Sequence, residues 1–161
     1  MRDILEYCVG GLRRSVTAGT ELVHEGGRTG HLYVLIEGRL EVVKGDTVVA
    51  VIAEPGAVLG EMSVLLDQPH TATVRAASDS VVHEIDDAAS FLRQQPAVTV
   101  LIARMLAQRL NAANSYLADL KRQYAGQGNH LAMVGDLLQS MINLPPTEVA
   151  PGSDRQSDPR T

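Results

Sequence analysis

Short β-rich runs separated by glycines fill the chain between Arg13 and Asp86, and this pattern limits the possible fold more than any other feature. Strands of this length at regular spacing favour an antiparallel sandwich or roll over a parallel sheet with crossover helices. Lys44-Gly45-Asp46 predicts a tight hairpin turn between two of the runs. The sequence therefore predicts a mainly β fold with flanking helices, an eight-stranded β roll (jelly roll). The runs are SVTAGTELV, HLYVLIEGRLEVV, TVVAVIA, AVLG, TATVRA and SVVHEI.

Helical patterns lie on both sides of the β runs. Residues 3–10 carry apolar side chains, Cys8 among them, at helical spacing and predict an N-terminal lid helix. Residues 87–95 predict a helical connector, and Pro96 is tolerated in the first turn of a long helix that continues to about residue 124. A heptad seam on this helix indicates packing against a second helix or against the chain's own β roll. The seam consists of Leu106, Leu110, Ala113, Leu117, Leu120 and Tyr124.

A glycine-containing break follows the long helix. Beyond it, apolar residues between Leu131 and Ile142 predict a short amphipathic helix, which needs a lid position or a partner to bury its apolar face. The final residues contain too little apolar surface to fold. The predicted organisation is a β roll with its N-terminal helix at 1–95, a long helix at 96–125, a short helix at 126–144 and a disordered tail at 145–161.

Composition limits the classes of function. The 161 residues carry a net charge of −5, which argues against broad contact with nucleic-acid phosphates. The single cysteine, Cys8, excludes an internal disulfide and is interpreted as buried core filler in a reducing compartment. No leader-like segment and no membrane-length apolar run is visible, so a soluble cytoplasmic protein is expected.

The segment from Gly56 to Ala76, GAVLGEMSVLLDQPHTATVRA, has the pattern of an anion-binding loop. A short helical patch begins at Gly60-Glu61, where glycine lets the backbone approach a ligand and unpaired amides face negative charge. The segment resembles the phosphate-binding cassette of cyclic-nucleotide-binding domains, the regulatory modules of catabolite activators, kinase regulatory subunits and gated channels. Glycine spacing over about residues 12–87 extends the resemblance across most of the β region.

The resemblance implies a binding site at residues 59–71 for cyclic AMP or cyclic GMP. Glu61 is expected to accept a hydrogen bond from the ribose 2′-hydroxyl, and backbone amides near Met62 and Ser63 are expected to hold the phosphate. On the long helix, Asn114 lies where the family's dimer helix covers the base. The family's transcription factors dimerise through this helix, so a homodimer is expected. The full set of implied site residues is Leu59, Gly60, Glu61, Met62, Ser63, His70, Thr71 and Asn114.

His70 occupies the position where the family usually has an arginine that pairs with the cyclic phosphate. Histidine is mostly neutral near neutral pH and lacks the planar fork of arginine. Losing such a pair costs on the order of 2–4 kcal/mol of binding free energy, or about thirty-fold to a thousand-fold in affinity. Two hypotheses follow: the site binds cyclic nucleotide weakly, or it is degenerate and the protein acts as a dimeric adaptor. Arg75 is expected on the opposite strand face, exposed to solvent.

Other classes of function are disfavoured. The histidines show no His-x-His spacing, so neither a metal site nor a cofactor is predicted. Neither Cys8 nor any serine lies in a glycine-flanked elbow typical of hydrolases. The residues after the long helix are too few for a winged helix-turn-helix, so no nucleic acid is expected as a partner. The sequence thus predicts a non-catalytic, cyclic-nucleotide-binding-like regulatory module without the DNA-binding domain, with possible protein partners at its C-terminal helices and no membrane association.

Overall fold

The described residues form eight strands with flanking helices, as the sequence predicts. The structure, a computed structural model, describes residues 3–8 and 11–123. The predicted helix within 126–144 and the tail at 145–161 lie outside these residues. The elements are α1 (Asp3–Tyr7), β1 (Leu12–Val16), β2 (Glu21–Val23), β3 (Leu32–Glu37), β4 (Leu40–Lys44), β5 (Thr47–Ile52), β6 (Val58–Leu59), α2 (Glu61–Leu66), β7 (Thr73–Ala76), β8 (Ser80–Ile85), α3 (Ala88–Gln94) and α4 (Pro96–Gln123).

The strands form two four-stranded antiparallel sheets in the orders β1-β8-β3-β6 and β2-β7-β4-β5. Because side chains alternate along a strand, β3 contributes to two separate cores. Tyr33 and Leu35 pack inside the roll, against residues such as Leu59 from β6. Leu32 and Val34 face the other side of the same sheet. The roll interior and the helix-covered outer face are therefore built from one alternating pattern.

The helices cover the outer face of the first sheet. Ile4 and Cys8 at the N-terminal end pack with Val98, Ile102 and Met105 of α4. Burial raises the pKa of the Cys8 thiol to about 11, so the thiol stays protonated at neutral pH. The interpretation of Cys8 as core filler is confirmed.

The contacts divide the chain into two compact units, Met1–Ala107 and Gln108–Thr161. The first unit holds the β roll, with the buried stripe of α4 described above. In the second unit, Leu110 of the predicted seam is 44% exposed and Leu117 and Leu120 are half-buried. No helix in the described part of the chain is both long and apolar enough to span a membrane.

Candidate functional site

The turn from β6 into α2 forms the first side of the candidate site. Gly60 has φ 87° and ψ −8°, and a Cβ built there would lie 2.6 Å from the carbonyl oxygen of His31. Only glycine accepts both the left-handed conformation and this close approach. The first helical hydrogen bond of α2 runs from the amide of Val64 to the carbonyl of Gly60 at 3.3 Å. The amides of Met62 and Ser63 therefore precede the first hydrogen bond of the helix.

Glu61 is the first residue of α2 and is only 4% exposed. A carboxylate at a helix start is favoured by the positive end of the helix dipole. Leu59, at the end of β6, is also buried and lies opposite Tyr33 of β3. Met62, the next residue of α2, is exposed. The structure thus brings together Leu59, Gly60 and Glu61 as a buried strand-to-helix junction.

Ser63 stabilises the turn that ends α2. Its hydroxyl donates to the carbonyl oxygen of Gln68 at 2.5 Å, and the amide of Gln68 donates to the carbonyl of Ser63 at 3.1 Å. Asp67 ends the helix in the left-handed region, with φ 50°. The Ser63 side chain is therefore occupied in shaping the turn, which leaves its amide as the group that can meet a ligand.

His70 forms the other side of the candidate site and is held by the loop between β2 and β3. It is 5% exposed, and its Nε2 lies 2.9 Å from Oγ1 of Thr29. Its amide donates to the carbonyl of Gly27, and its carbonyl accepts from the amide of Gly26, both at 2.8 Å. Burial, with a smaller contribution from the nearby His31, lowers the pKa of His70 below its ordinary value of 6.5. His70 is therefore a neutral imidazole near neutral pH.

The structure agrees only in part with the sequence expectation for Thr71 and Arg75, which follow His70 in the chain. Thr71 is exposed and precedes β7, which begins at Thr73, so the prediction of a strand from Thr71 is wrong. Arg75 alternates with buried Val74 and Ala76, which confirms that it faces away from the roll interior. Its side chain is only partly exposed, because the guanidinium is ion-paired with Glu41 on β4.

Asn114 lies in the second unit, on α4. Its Oδ1 is shielded from solvent and has no hydrogen-bond partner within the described residues. An unpaired amide oxygen of this kind is uncommon in folded proteins. Its expected role in covering a base stays a prediction.

A polar cluster inside the roll was not anticipated from the sequence. The hydroxyl of Tyr33 donates to Oε1 of Glu84 at 3.0 Å, and Nη1 of Arg14 donates to Oε2 at 2.9 Å. Nδ1 of His31 lies 3.3 Å from both the Tyr33 hydroxyl and Oε1 of Glu84. Burial alone would raise the pKa of Glu84, but the bonds from Arg14 and Tyr33 outweigh it and lower that pKa. Burial and the bond to Glu84 raise the pKa of Tyr33 to about 12.

Comparison with known proteins identifies the family. A sequence model of the cyclic nucleotide-binding domain matches residues 13–94, just over half of the chain. The chain belongs to the cyclic nucleotide-binding domain family. The matched range contains both sides of the candidate site, from Leu59 to Thr71. The resemblance inferred from the cassette is thereby confirmed for the domain as a whole.

Relatives with this domain are much longer proteins. The chain is 30% identical over 101 residues to lysophospholipase NTE1 of Coccidioides immitis (strain RS), which covers 59% of the chain and 6% of that protein. It is 33% identical over 109 residues to the Pycsar effector protein XpPycTIR of Xanthomonas perforans, covering 66% of the chain and 35% of the effector. The chain therefore spans well under half of these relatives.

Solved structures confirm the fold. The catabolite activator protein of Thermus thermophilus superposes with a TM-score of 0.62 at 20% identity, over 91% of this chain and 88% of that one. A protein from a cyclic-GMP-dependent signalling pathway that regulates bacterial phytopathogenesis gives 0.59 at 20% identity, over 69% and 94%. The N-terminal domain of a Streptomyces coelicolor A3(2) transcriptional regulator gives 0.51 at 27% identity, over 70% and 82%.

Proposed function

We propose that this regulatory module binds a cyclic nucleotide at residues 59–71 and has no catalytic step of its own. The observation that carries the proposal is the junction at Gly60, where a left-handed glycine starts α2 and places Glu61 in a buried position. This junction lies inside the range that matches the family. The proposed ligands are cyclic AMP and cyclic GMP.

The proposed ligand forms hydrogen bonds with backbone amides and with one carboxylate of this junction. The amides of Met62 and Ser63 donate to the phosphate oxygens, since they precede the first helical hydrogen bond. The Glu61 carboxylate accepts from the ribose 2′-hydroxyl in a charge-assisted hydrogen bond. His70, neutral and bonded to Thr29, adds no cation to the phosphate, so affinity is expected to be weak.

Calorimetric titration of the purified chain with cyclic AMP, cyclic GMP and their 2′-deoxy counterparts tests this proposal. We expect weak binding of at least one ribonucleotide, and weaker binding of its 2′-deoxy form because the bond to Glu61 is lost. Glu61→Gln should reduce that preference, whereas Glu54→Gln, which changes an exposed carboxylate on a loop, should leave it intact. Equal affinity for the ribo and deoxy forms would contradict the role of Glu61.

A second candidate function is that of a dimeric adaptor with a degenerate pocket. The observation in its favour is the burial of His70 and its bond to Thr29, which together keep a neutral side chain at the usual arginine position. Absence of binding both in the native chain and after His70→Arg would favour this candidate over the first.

Both candidates include a homodimer formed through the seam of α4. Within the second unit, the exposed Leu110 and the half-buried Leu117 and Leu120 present apolar surface that a paired helix would bury. Sedimentation equilibrium should give twice the chain mass, and a combined Leu110→Glu and Leu117→Glu change should give the single-chain mass. Ala112→Glu, an exposed position on the same helix outside the seam, serves as the control.

A further inference from the structure

Three metal-ligating side chains converge at one end of the roll, and we propose that they bind a divalent transition-metal ion. They are His31, Glu84 and Asp86, and one donor atom from each lies within 4.8 Å of the donors of the other two. None of the three residues belongs to the segment 59–71, although the cavity at Asp86 is also lined by Ser63, Val64, Asp67 and Gln68 of that segment. The inference stands whether or not that segment binds a nucleotide.

The strand register explains why the three side chains meet. β3 and β8 pair antiparallel with Leu32 opposite Ile85 and Tyr33 opposite Glu84. One residue beyond each strand end, the same register sets His31 opposite Asp86. Residues two apart on a strand share a face, so His31 and Tyr33 face Glu84 and Asp86 across the pair.

The separation of two of the three donors suits a first-row metal ion. Nδ1 of His31 and Oε1 of Glu84 are 3.3 Å apart. Two ligand bonds of about 2.0 Å at a tetrahedral angle place their donor atoms about 3.3 Å apart. One imidazole with two carboxylates is a mixed nitrogen and oxygen set, which suits zinc or manganese better than an ion that prefers oxygen alone, such as calcium.

Neighbouring residues hold the central carboxylate in place. Arg14 donates to Oε2 of Glu84 and Tyr33 donates to Oε1, so the carboxylate is fixed from two directions while His31 approaches Oε1. Hydrogen bonds of this kind orient metal ligands and raise affinity. Arg14 neutralises one of the two carboxylates, and the set keeps a net negative charge when His31 is neutral.

An open path leads to the proposed ion. Asp86 is exposed, and it lines a cavity of about 270 Å³ together with Gly30, Arg28 and Asp87. The positive charge of Arg28 is engaged by Asp67, whose Oδ1 accepts from Nη1 at 3.2 Å. A hydrated ion can therefore approach Asp86 from solvent before it reaches the buried Glu84.

Calorimetric titration with zinc chloride, on tag-free protein previously treated with a chelator, tests the proposal. We expect one ion per chain near neutral pH, and His31→Ala and Asp86→Asn should each weaken binding by at least about ten-fold. Cobalt(II) bound in place of zinc should show the visible absorption of a nitrogen-ligated ion. His31→Ala should abolish this absorption.

Matched controls separate this site from adventitious surface binding. His24→Ala removes an imidazole that lies 3.1 Å from Glu21, and Asp46→Asn removes a carboxylate from the hairpin turn; neither should change zinc affinity. Tyr33→Phe keeps the ring and should weaken binding by about ten-fold, because it loosens Glu84. Unchanged zinc affinity in folded His31→Ala, or equal affinity for calcium, would overturn the proposal. Should His31→Ala fail to fold, Asp86→Asn decides, since Asp86 is exposed.

Discussion

The two sides of the candidate site are constructed differently. On the Gly60 side, the geometry is set by the backbone, through a left-handed glycine against the His31 carbonyl and amides that precede the first helical bond. On the His70 side, the geometry is set by a side chain that bonds to Thr29 in the neighbouring loop. The first side depends on one residue type, whereas the second depends on a neutral side chain that a charged one could replace.

This difference separates the half of the candidate site that the fold itself needs from the half that only a ligand would need. A backbone turn such as the one at Gly60 is also needed to join β6 to α2, so altering it affects the fold itself. A charged side chain in a pocket supports ligand binding but is not required for folding, since buried charge is costly without its partner. The neutral His70 satisfies its hydrogen bond to Thr29 without any ligand.

The largest effect is expected on the Gly60 side, from Gly60→Ala. The left-handed conformation and the 2.6 Å approach of the new Cβ to the His31 carbonyl should together lower the free energy of unfolding by about 3–5 kcal/mol. Gly45→Ala is the matched control, since Gly45 has φ 56° but a Cβ there meets nothing within 4 Å. It should cost only about 1 kcal/mol. Equal losses in urea unfolding would show that the close approach to His31 does not matter.

The next largest effect is expected on the His70 side, from His70→Arg. A permanent cation should raise cyclic-nucleotide affinity by about thirty-fold to a thousand-fold, which corresponds to about 2–4 kcal/mol of binding free energy. Calorimetric titration with cyclic AMP and cyclic GMP measures the gain. His24→Arg adds the same charge at an exposed histidine and should leave affinity unchanged. A similar gain in both variants would indicate a general charge effect rather than a specific phosphate contact.

The sequence predicted the roll and the Gly60 side well, because both follow from local patterns. Short β-rich runs separated by glycines placed the strands, and the glycine before Glu61 marked the turn into α2. It did not predict the loop residue Thr29 as the partner of His70, since the two are 41 positions apart in the chain. The cluster of His31, Glu84 and Asp86 was missed for the same reason: spacing along one strand was considered, but these donors meet across two strands.

A smaller effect is expected on the pH dependence of stability, and it should come from the His70 side alone. Because burial lowers the pKa of His70 in the folded chain, the unfolded chain binds the extra proton more readily. His70 should therefore reduce stability as the pH falls below its ordinary pKa of 6.5, until the lower folded pKa is reached. Thermal unfolding of native protein and His70→Asn from neutral to acidic pH measures this.

The contribution of Glu84 provides an internal comparison for that experiment. Its folded pKa is lowered from 4.5, so the stability it provides is present above that value and is lost only at more acidic pH. The difference between native protein and His70→Asn should thus appear between neutral pH and about pH 5, before Glu84 takes up a proton. Parallel unfolding profiles over that range would mean that His70 is charged equally in the folded and unfolded chains.

The smallest effect is expected from Arg75→Gln. This substitution tests whether Arg75 provides the positive charge that the family's usual arginine would provide at position 70. Arg75 pairs with Glu41 on the neighbouring strand and faces away from the roll interior, so it should not reach a phosphate held by the amides of Met62 and Ser63. Removing its charge should change cyclic-nucleotide affinity by less than about two-fold and stability by at most about 1 kcal/mol, as for other partly exposed ion pairs. The titration should be made in the native and the His70→Arg backgrounds, because the second provides measurable affinity even if the first binds weakly. A loss of ten-fold or more in the native background alone would mean that Arg75 leaves Glu41 to pair with the ligand, and that the charge lost at His70 is supplied from β7.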